Sequence, residues 1–537
     1  MKNFHWWQTG IIYQIYPRSF QDSNNDGIGD IPGIISRLDY LKEIGIQAIW
    51  MSPFYPSPMK DFGYDITDYK GINPMFGAMK DFDKLLEEAH KRGLKIVIDL
   101  VPNHTSDQHP WFLESRKSKD NPYRDYYIWK DAKKNGKEPN NWLSYFGGPA
   151  WDWDETTEQY YLHQFVKEQP DLNYANPKVL EAMLDVIDFW LAKGVDGFRV
   201  DVICNMWKHQ DFPNHPRNPK WNGKIPWEKF TMKYTINQPE DHDIIRKFRS
   251  LLDKYKDKVM IGETYLPYDK LIQFYGKNND ECQLPFNFHL LGVKWKAPII
   301  KKEVNDFEKI LPEGCWPSYV LGNHDQHRIV NKIGSEKQAR IANMLLLTLR
   351  GTPTVYYGEE ICMKNVHIPK SMIQDPPAVK QPELAHIVGR DPERTPMQWD
   401  DSPNSGFSAK GVKTWLPIAK DYKTNNVKVQ EKEKDSMLVL FKQLTKLRSE
   451  YSCLNSGNYK YIPTAQREIF AYLRHDEKNT FLIVLNFSSK SFKLDLSKKL
   501  TAKKAKLLMA TDLNKDHSED LNSLRIKANL GLIFELK

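Results

Sequence analysis

Apolar residues fall in short continuous runs at 11–16, 47–51, 94–101, 197–202, 259–264, 284–290, 318–322 and 354–357. Runs of this length, bounded by turn-forming residues, read as strands buried on both faces. Stretches whose apolar positions recur at helical spacing lie between several of them: 31–44, 79–92, 179–192 and 245–255. The second stops at Gly93, a residue suited to a helix C-terminus. Strand–helix alternation of this kind predicts an α/β fold with parallel strands, and eight candidate strands are the number needed for a (β/α)8 TIM barrel.

The alternation breaks in three places. Residues 104–173 are rich in Trp, Tyr, Asn, Asp and Pro and too long for a plain loop, so they read as a small domain inserted after the third strand. Residues 204–239 and the Pro-rich stretch 358–433 are irregular. A helix is predicted at 437–448. After residue 451 the texture changes to short strands at 469–473, 481–486 and 532–535, which predicts a separate all-β sandwich domain. The expected organisation is barrel at 1–103 and 174–452, insert at 104–173 and C-terminal domain at 453–537. No internal repeat or low-complexity tract interrupts it.

Composition narrows the functional classes. The chain has 537 residues and a formal charge of +8, with Lys and Arg interspersed among acids. The densest basic run, Lys498, Lys499, Lys503, Lys504 and Lys506, reads as a solvated face and not as a nucleic-acid site. No run is long and apolar enough to cross a membrane, and the first residues lack the apolar core of a signal peptide. Five cysteines without a C-x-x-C pair suit a reducing cytosol. Aromatic residues make up 12%, enough to serve a core and sugar-binding platforms alike.

The chemistry concentrates where strands end. In the run 197–202, alternation puts Arg199 and Asp201 on one face, and Phe198 and Val200 on the other. The charged face suits the C-terminal mouth of a barrel, where catalytic residues gather. Taken alone, the pair reads equally as a structural ion pair. Two further strands end in an acid, however: Glu263, and Asp325 just beyond 321–324. Three carboxylates converging on one mouth suit glycoside hydrolysis, in which one attacks or activates water and another protonates the leaving oxygen. A metal cluster is the rival reading. It is weaker, because His324 is the one nitrogen ligand nearby.

A second motif is 22–30, where Asp22, Asn24, Asp26 and Asp30 alternate around Gly27 and Gly29. The opening fits a calcium loop. Gly33 stands where an EF-hand needs its bidentate Glu, and no helix precedes it. Spacing alone leaves a metal loop of another type and an Asx-rich turn equally open.

Several motifs together carry a resemblance. They are 99–104 (DLVPNH), 197–201 (GFRVD), 262–263 (GE), 323–325 (NHD), 169–173 (QPDLN) and 394–399 (RTPMQW). In this order they resemble the α-amylase family, glycoside hydrolase family 13, in its branch of α-glucosidases and oligo-1,6-glucosidases. The resemblance implies Asp201 as nucleophile, Glu263 as acid and then base, and Asp325 as the group that holds ring hydroxyls. It implies that Arg199 fixes Asp201 and keeps it ionised, and that His104 and His324 bind hydroxyls of the same glucose. Asp61 and Tyr64 match the family's closed pocket end, where Asp61 would grip the terminal glucose with Arg390, or alternatively Arg394. The family's usual Asn-Gly is Phe62-Gly63 here, so local packing is expected to differ. Phe165 and Gln169 would line the same subsite, with core packing as the alternative for Phe165.

The resemblance also makes Asp22, Asn24, Asp26, Asp30 and the carbonyl of Ile28 ligands of a structural divalent cation, calcium or else magnesium. No organic cofactor is expected. The expected function is exo-acting, retaining hydrolysis of small α-glucosides by a monomer or weak homo-oligomer. Preference for α-1,6 bonds, or transfer to a sugar acceptor, are the alternatives. Val202, directly after the nucleophile, is associated in this branch with α-1,6 bonds. A non-enzymatic relative of the transporter-subunit type fits poorly, because all three acids are present. Residues 204–239 follow the nucleophile's strand and would wall the acceptor side, where Trp207, Phe212, Trp221 and Trp227 either stack on sugars or pack.

Overall fold

The computed structural model describes residues 4–502 and 504–537. Met1–Asn3 and Lys503 of the basic run lie outside the described residues. Eight strands form one parallel sheet: β1 (Ile12–Ile15), β2 (Ala48–Met51), β3 (Lys95–Leu100), β4 (Gly197–Val200), β5 (Val259–Gly262), β6 (Leu284–Pro285), β7 (Ser318–Val320) and β8 (Thr352–Tyr356). Hydrogen bonding runs β7-β8-β1-β2-β3-β4-β5-β6. A single parallel bridge between Asn287 and Tyr319 closes the barrel, with Asn287 N–H donating to Ser318 O at 3.0 Å.

Strand alternation sorts the residues as the sequence predicts. Ile12, Trp50, Val97, Val259, Ile261, Leu284 and Val320 form one apolar cluster inside the barrel. Tyr13, Ile49, Ile98, Phe198, Val200 and Met260 face outward into the larger core under the helices. The helix Met79–Lys91 buries Phe82, Leu85, Leu86 and Ala89, one stripe at helical spacing. The helix Pro177–Lys193 starts on the Asn176 side chain, which accepts from Lys178 N–H, and ends at Gly194 with φ 109°.

Three elements differ from expectation. The helix at 31–44 is two, Ile31–Ser36 and Leu38–Glu43, broken at Arg37, whose N–H turns back to Ile34 O. The strand expected at 284–290 stops at Pro285, which has no N–H to give the ladder. The Asn287 side chain then accepts His289 N–H at 3.1 Å, and His289–Gly292 is helical. The helix Glu336–Thr348 carries no periodic signal because it is buried on nearly every side.

The insert carries its own antiparallel sheet of Trp129–Lys130, Gln159–Leu162 and Trp151–Asp154. Beyond the helix Met437–Glu450, a five-stranded antiparallel sheet and a two-stranded one (Phe492–Leu494 with Leu524–Ile526) enclose a second core, which includes Ile462, Val484, Leu494, Leu524 and Phe534. No helix among the described residues is long and apolar enough to cross a membrane. All five cysteines are unpaired.

Candidate active site

The floor of the barrel mouth is organised by Arg199, which points inward from β4 and is 1% exposed. Its Nη1 donates to Asp99 Oδ1 at 2.7 Å and to Asp201 Oδ1 at 2.8 Å, and its Nη2 lies 2.7 Å from Glu263 Oε2. Asp201 follows β4 directly, held in register by its N–H to Leu100 O at 2.8 Å. The chain then turns sharply. Val202 has φ +35°, a left-handed conformation that is costly for a β-branched residue. The turn aims Val202 N–H at Glu263 Oε2, 2.9 Å away.

Two carboxyls therefore meet over one guanidinium. Burial, and beyond it the charges of Glu263 and Asp99, push Asp201 well above the usual carboxylate range although Arg199 pulls it down. Arg199 acts on Asp201 in the expected direction, fixing it and favouring its ionised form, but its one charge is divided among three acids. Burial likewise brings Asp99 up to about 6 against the pull of Arg199.

The closed end is a second ion network. Arg390 Nη2 donates to Asp61 Oδ1 at 2.8 Å and Nη1 to Asp325 Oδ1 at 3.0 Å. Arg394 does not take the Asp61 role. It donates to Asp325 Oδ1 at 2.8 Å and to His324 O at 2.7 Å. Burial would raise Asp325, but His324, Arg390, Arg394 and Arg199 outweigh it and hold the carboxyl well below its usual range. Gln169 Nε2 donates to Asp61 Oδ2 at 3.2 Å and lies 3.0 Å from His104 Nε2. Burial, then the charge of Lys208, lowers His104 to about 3, so it meets a ligand as the neutral imidazole. Phe165 is half-buried, its ring 5.1 Å from His104 and 5.5 Å from Phe146, so it faces the site as well as packing.

A hydrogen-bonded relay joins the two networks. Gln14 Nε2 on β1 lies 2.7 Å from His324 Nδ1, His324 Nε2 lies 2.8 Å from Tyr64 OH, and Tyr64 OH donates to Asp99 Oδ2 at 3.1 Å. With the amide donating to Nδ1, His324 carries its proton on Nε2. Burial drives its pKa well below normal, consistent with a neutral ring.

The catalytic-domain family described as alpha amylase matches residues 14–457, and the maltogenic amylase C-terminal domain matches 459–523. This chain belongs to the α-amylase family. It is 40% identical to the oligo-1,6-glucosidase of Parageobacillus thermoglucosidasius over 99% of both chains. It is 41% identical to an α-glucosidase of Apis mellifera over 97% of this chain and 92% of the relative. A solved α-glucosyl transfer enzyme superposes with a TM-score of 0.93 at 36% identity, covering 100% of both chains.

All the family-matched residues from Asp61 to Arg390 thus gather in the two joined networks, and Val202 lies at their edge. Asp375, Gln14 and Phe146 were not legible as site residues. Asp375 is fully buried and touches Arg390 at 2.7 Å. Tyr265 was also missed, although it stands two residues after Glu263. It is 53% exposed at the mouth, its ring 4.6 Å from Phe288. Of the aromatics at 204–239, Phe212 packs on Trp142 and Trp151 of the insert, whereas Trp227 meets Tyr145 edge-on beside Phe165.

Phe62 is the departure from the family motif, and it has φ +49°, a conformation Asn adopts cheaply and Phe does not. The Arg18 guanidinium at 5.0 Å and the Trp415 ring at 5.6 Å hold it. Trp415 N–H in turn donates to Gly27 O in the 22–30 loop at 3.1 Å. In that loop Asp22 accepts N–H from Asn24, Asn25 and Gly27, while Asn24 accepts from Asp26 and Asp26 from Ile28. Asp30 accepts from Ser23 and Gly33, and burial raises its pKa, with the Asp22 charge adding to the rise. Among the described residues no three acid, His or Cys side chains converge as a preformed cage. The donor set is hard oxygen throughout, which fits calcium or magnesium.

Proposed function

We propose that this chain is an exo-acting, retaining α-glucosidase that releases glucose from the non-reducing end of short α-glucosides. The observation that carries the reading is that Asp201 and Glu263 are held on the two nitrogens of one guanidinium, Arg199 Nη1 at 2.8 Å and Nη2 at 2.7 Å, beside a cluster in which Arg390 ties Asp61 to Asp325. Inverting glycosidases hold their carboxyls roughly 6.5–9.5 Å apart to admit water, and retaining ones about 5 Å. Two carboxyls gripped by one guanidinium fit the shorter of these separations. Asp201 attacks the anomeric carbon and the bond to the leaving oxygen breaks, while Glu263 gives that oxygen its proton. Water then attacks the glucosyl–Asp201 ester, with its proton passing to Glu263. Arg199 steadies both carboxyls, and the closed end admits one terminal glucose.

A preference for α-1,6 bonds is the second reading, favoured by Val202 beside the cleavage point and by the oligo-1,6-glucosidase relatives. Transfer to a sugar acceptor is the alternative raised by the α-glucosyl transfer enzyme, and acceptor occupancy decides it. A product-resolved panel of maltose, isomaltose, sucrose and trehalose tests these readings together. Glucose release that vanishes in Asp201→Asn supports the assignment, and near-normal turnover by that variant overturns it. We further propose that residues 22–30 hold a structural divalent cation through Asp22, Asn24, Asp26, Asp30 and the Ile28 carbonyl. The five unpaired cysteines favour a cytosolic setting. A monomer or weak homo-oligomer is expected, and gel filtration checks it.

A further inference from the structure

We propose that Asp375 is a positioning residue that sets the closed end of the glucose pocket by acting through Arg390. The proposal rests on the α-glucosidase reading above. Asp375 has no exposed surface, so it meets no ligand itself. Its Oδ1 accepts Arg390 Nε at 2.9 Å and Nη2 at 2.7 Å, and its Oδ2 accepts the Arg390 backbone N–H at 2.9 Å. With the Nε side pinned in this way, the guanidinium has one orientation left. Nη1 then points at Asp325 and Nη2 at Asp61, the two acids that face the sugar. Asp61 and Asp325 each take a single contact from Arg390 and could not fix that orientation alone, because torsion about Cγ–Cδ and Cδ–Nε would still tilt the planar guanidinium.

The backbone reinforces the clamp. Asp391 Oδ2 accepts the N–H groups of Gln374 at 2.8 Å and Asp375 at 3.1 Å, so both ends of the 376–389 excursion are stapled at one point. The excursion reaches the insert, where Gln381 lies so close to Gly147 that a Cβ there would sit 2.8 Å from the Gln381 Cδ. Arg390 lies under this roof with Phe146 beneath its guanidinium at 4.9 Å. Asp375 therefore links an element far from the barrel strands to the residues that grip the terminal glucose.

A double-mutant cycle reads this dependence directly. kcat/KM for p-nitrophenyl α-glucoside is measured for wild type, Asp375→Asn, Arg390→Ala and the double variant, with melting temperatures alongside. Asp375→Asn is expected to lower kcat/KM roughly 10- to 100-fold, more through KM than through kcat. The double variant is expected to be no slower than Arg390→Ala alone. Asp375→Glu, which keeps the charge, is expected to recover part of the activity that Asn loses, and it replaces Asn in the cycle if Asn fails to fold. Losses that multiply in the double variant, or an Asp375→Asn enzyme with unchanged kcat/KM, overturn the proposal. An inactive wild type would refute the α-glucosidase reading instead, so the two failures are distinguishable.

Discussion

Replacing Arg199 by Lys tests how one cation serves three acids. Arg199 divides its fork among Asp99, Asp201 and Glu263 at 2.7, 2.8 and 2.7 Å. An ammonium keeps the charge but not the planar fork, so it can satisfy one edge of the cluster and not both. Centred between Asp99 and Glu263, it leaves Asp201 without its cation. Unpairing one member of a buried ion network costs about 3–5 kcal/mol, which corresponds to a loss of roughly 10²- to 10⁴-fold in kcat/KM. The pH profile should move as well. Asp201 already ionises above its normal range because burial and neighbouring acids outweigh Arg199. With the cation drawn away, ionisation needs a still higher pH. The acid limb of kcat/KM should therefore shift upward by roughly one unit or more. The assay is hydrolysis of p-nitrophenyl α-glucoside across the pH range in which the fold persists, with melting curves to exclude unfolding. An acid limb that stays in place, or a rate loss below about tenfold, refutes the shared-cation argument.

Glu359 gives a stability prediction. It is buried, its Oε1 has no partner, and burial raises its pKa from 4.5 to about 7. A raised folded-state pKa contributes stability that is present below the unfolded value and lost as pH rises through the folded one. Glu359→Gln should therefore gain on wild type between those two pH values, by up to about 3 kcal/mol, and hold level above them. Urea melts at both ends of the window check this, and an equal difference at both ends contradicts it. Asp26→Ala should lower the melting temperature with little effect on kcat at low temperature, and chelation of wild type should match it. If neither moves the melting temperature, the loop is only a turn. Val202→Thr offers an acceptor sugar a hydroxyl in place of a methyl. It should raise the maltose-to-isomaltose ratio of kcat/KM by roughly 10- to 200-fold at most, and an unchanged ratio returns Val202 to a packing role.

The barrel was legible because buried parallel strands announce themselves as apolar runs, and because Arg199, Asp201 and Glu263 stand at the ends of such runs. Their grouping followed from strand register, which places Val200 beside Gly262 and Leu100 beside Val200. The closed end was legible only through resemblance. Arg390 and Asp375 lie in the stretch 358–433, which has short helical turns and no periodic pattern to fix where its side chains go. The relay from Gln14 to Asp99 joins strands distant in sequence through side chains that look like ordinary core polars, so no local signal marks it. The split at Arg37 and the stop at Pro285 were readable in principle from local backbone chemistry. The helix Glu336–Thr348 was not, since burial on nearly every side removes the amphipathic stripe on which sequence reading depends.

The central claim is that Asp201 and Glu263 act as nucleophile and acid in a double displacement. Proton NMR of the first turnovers on an α-glucoside tests it most directly, before mutarotation mixes the anomers. Two displacements return the configuration, so α-glucose should appear first and the β-anomer should grow only at the mutarotation rate. β-Glucose as the first product would mean a single displacement by water and would contradict the account.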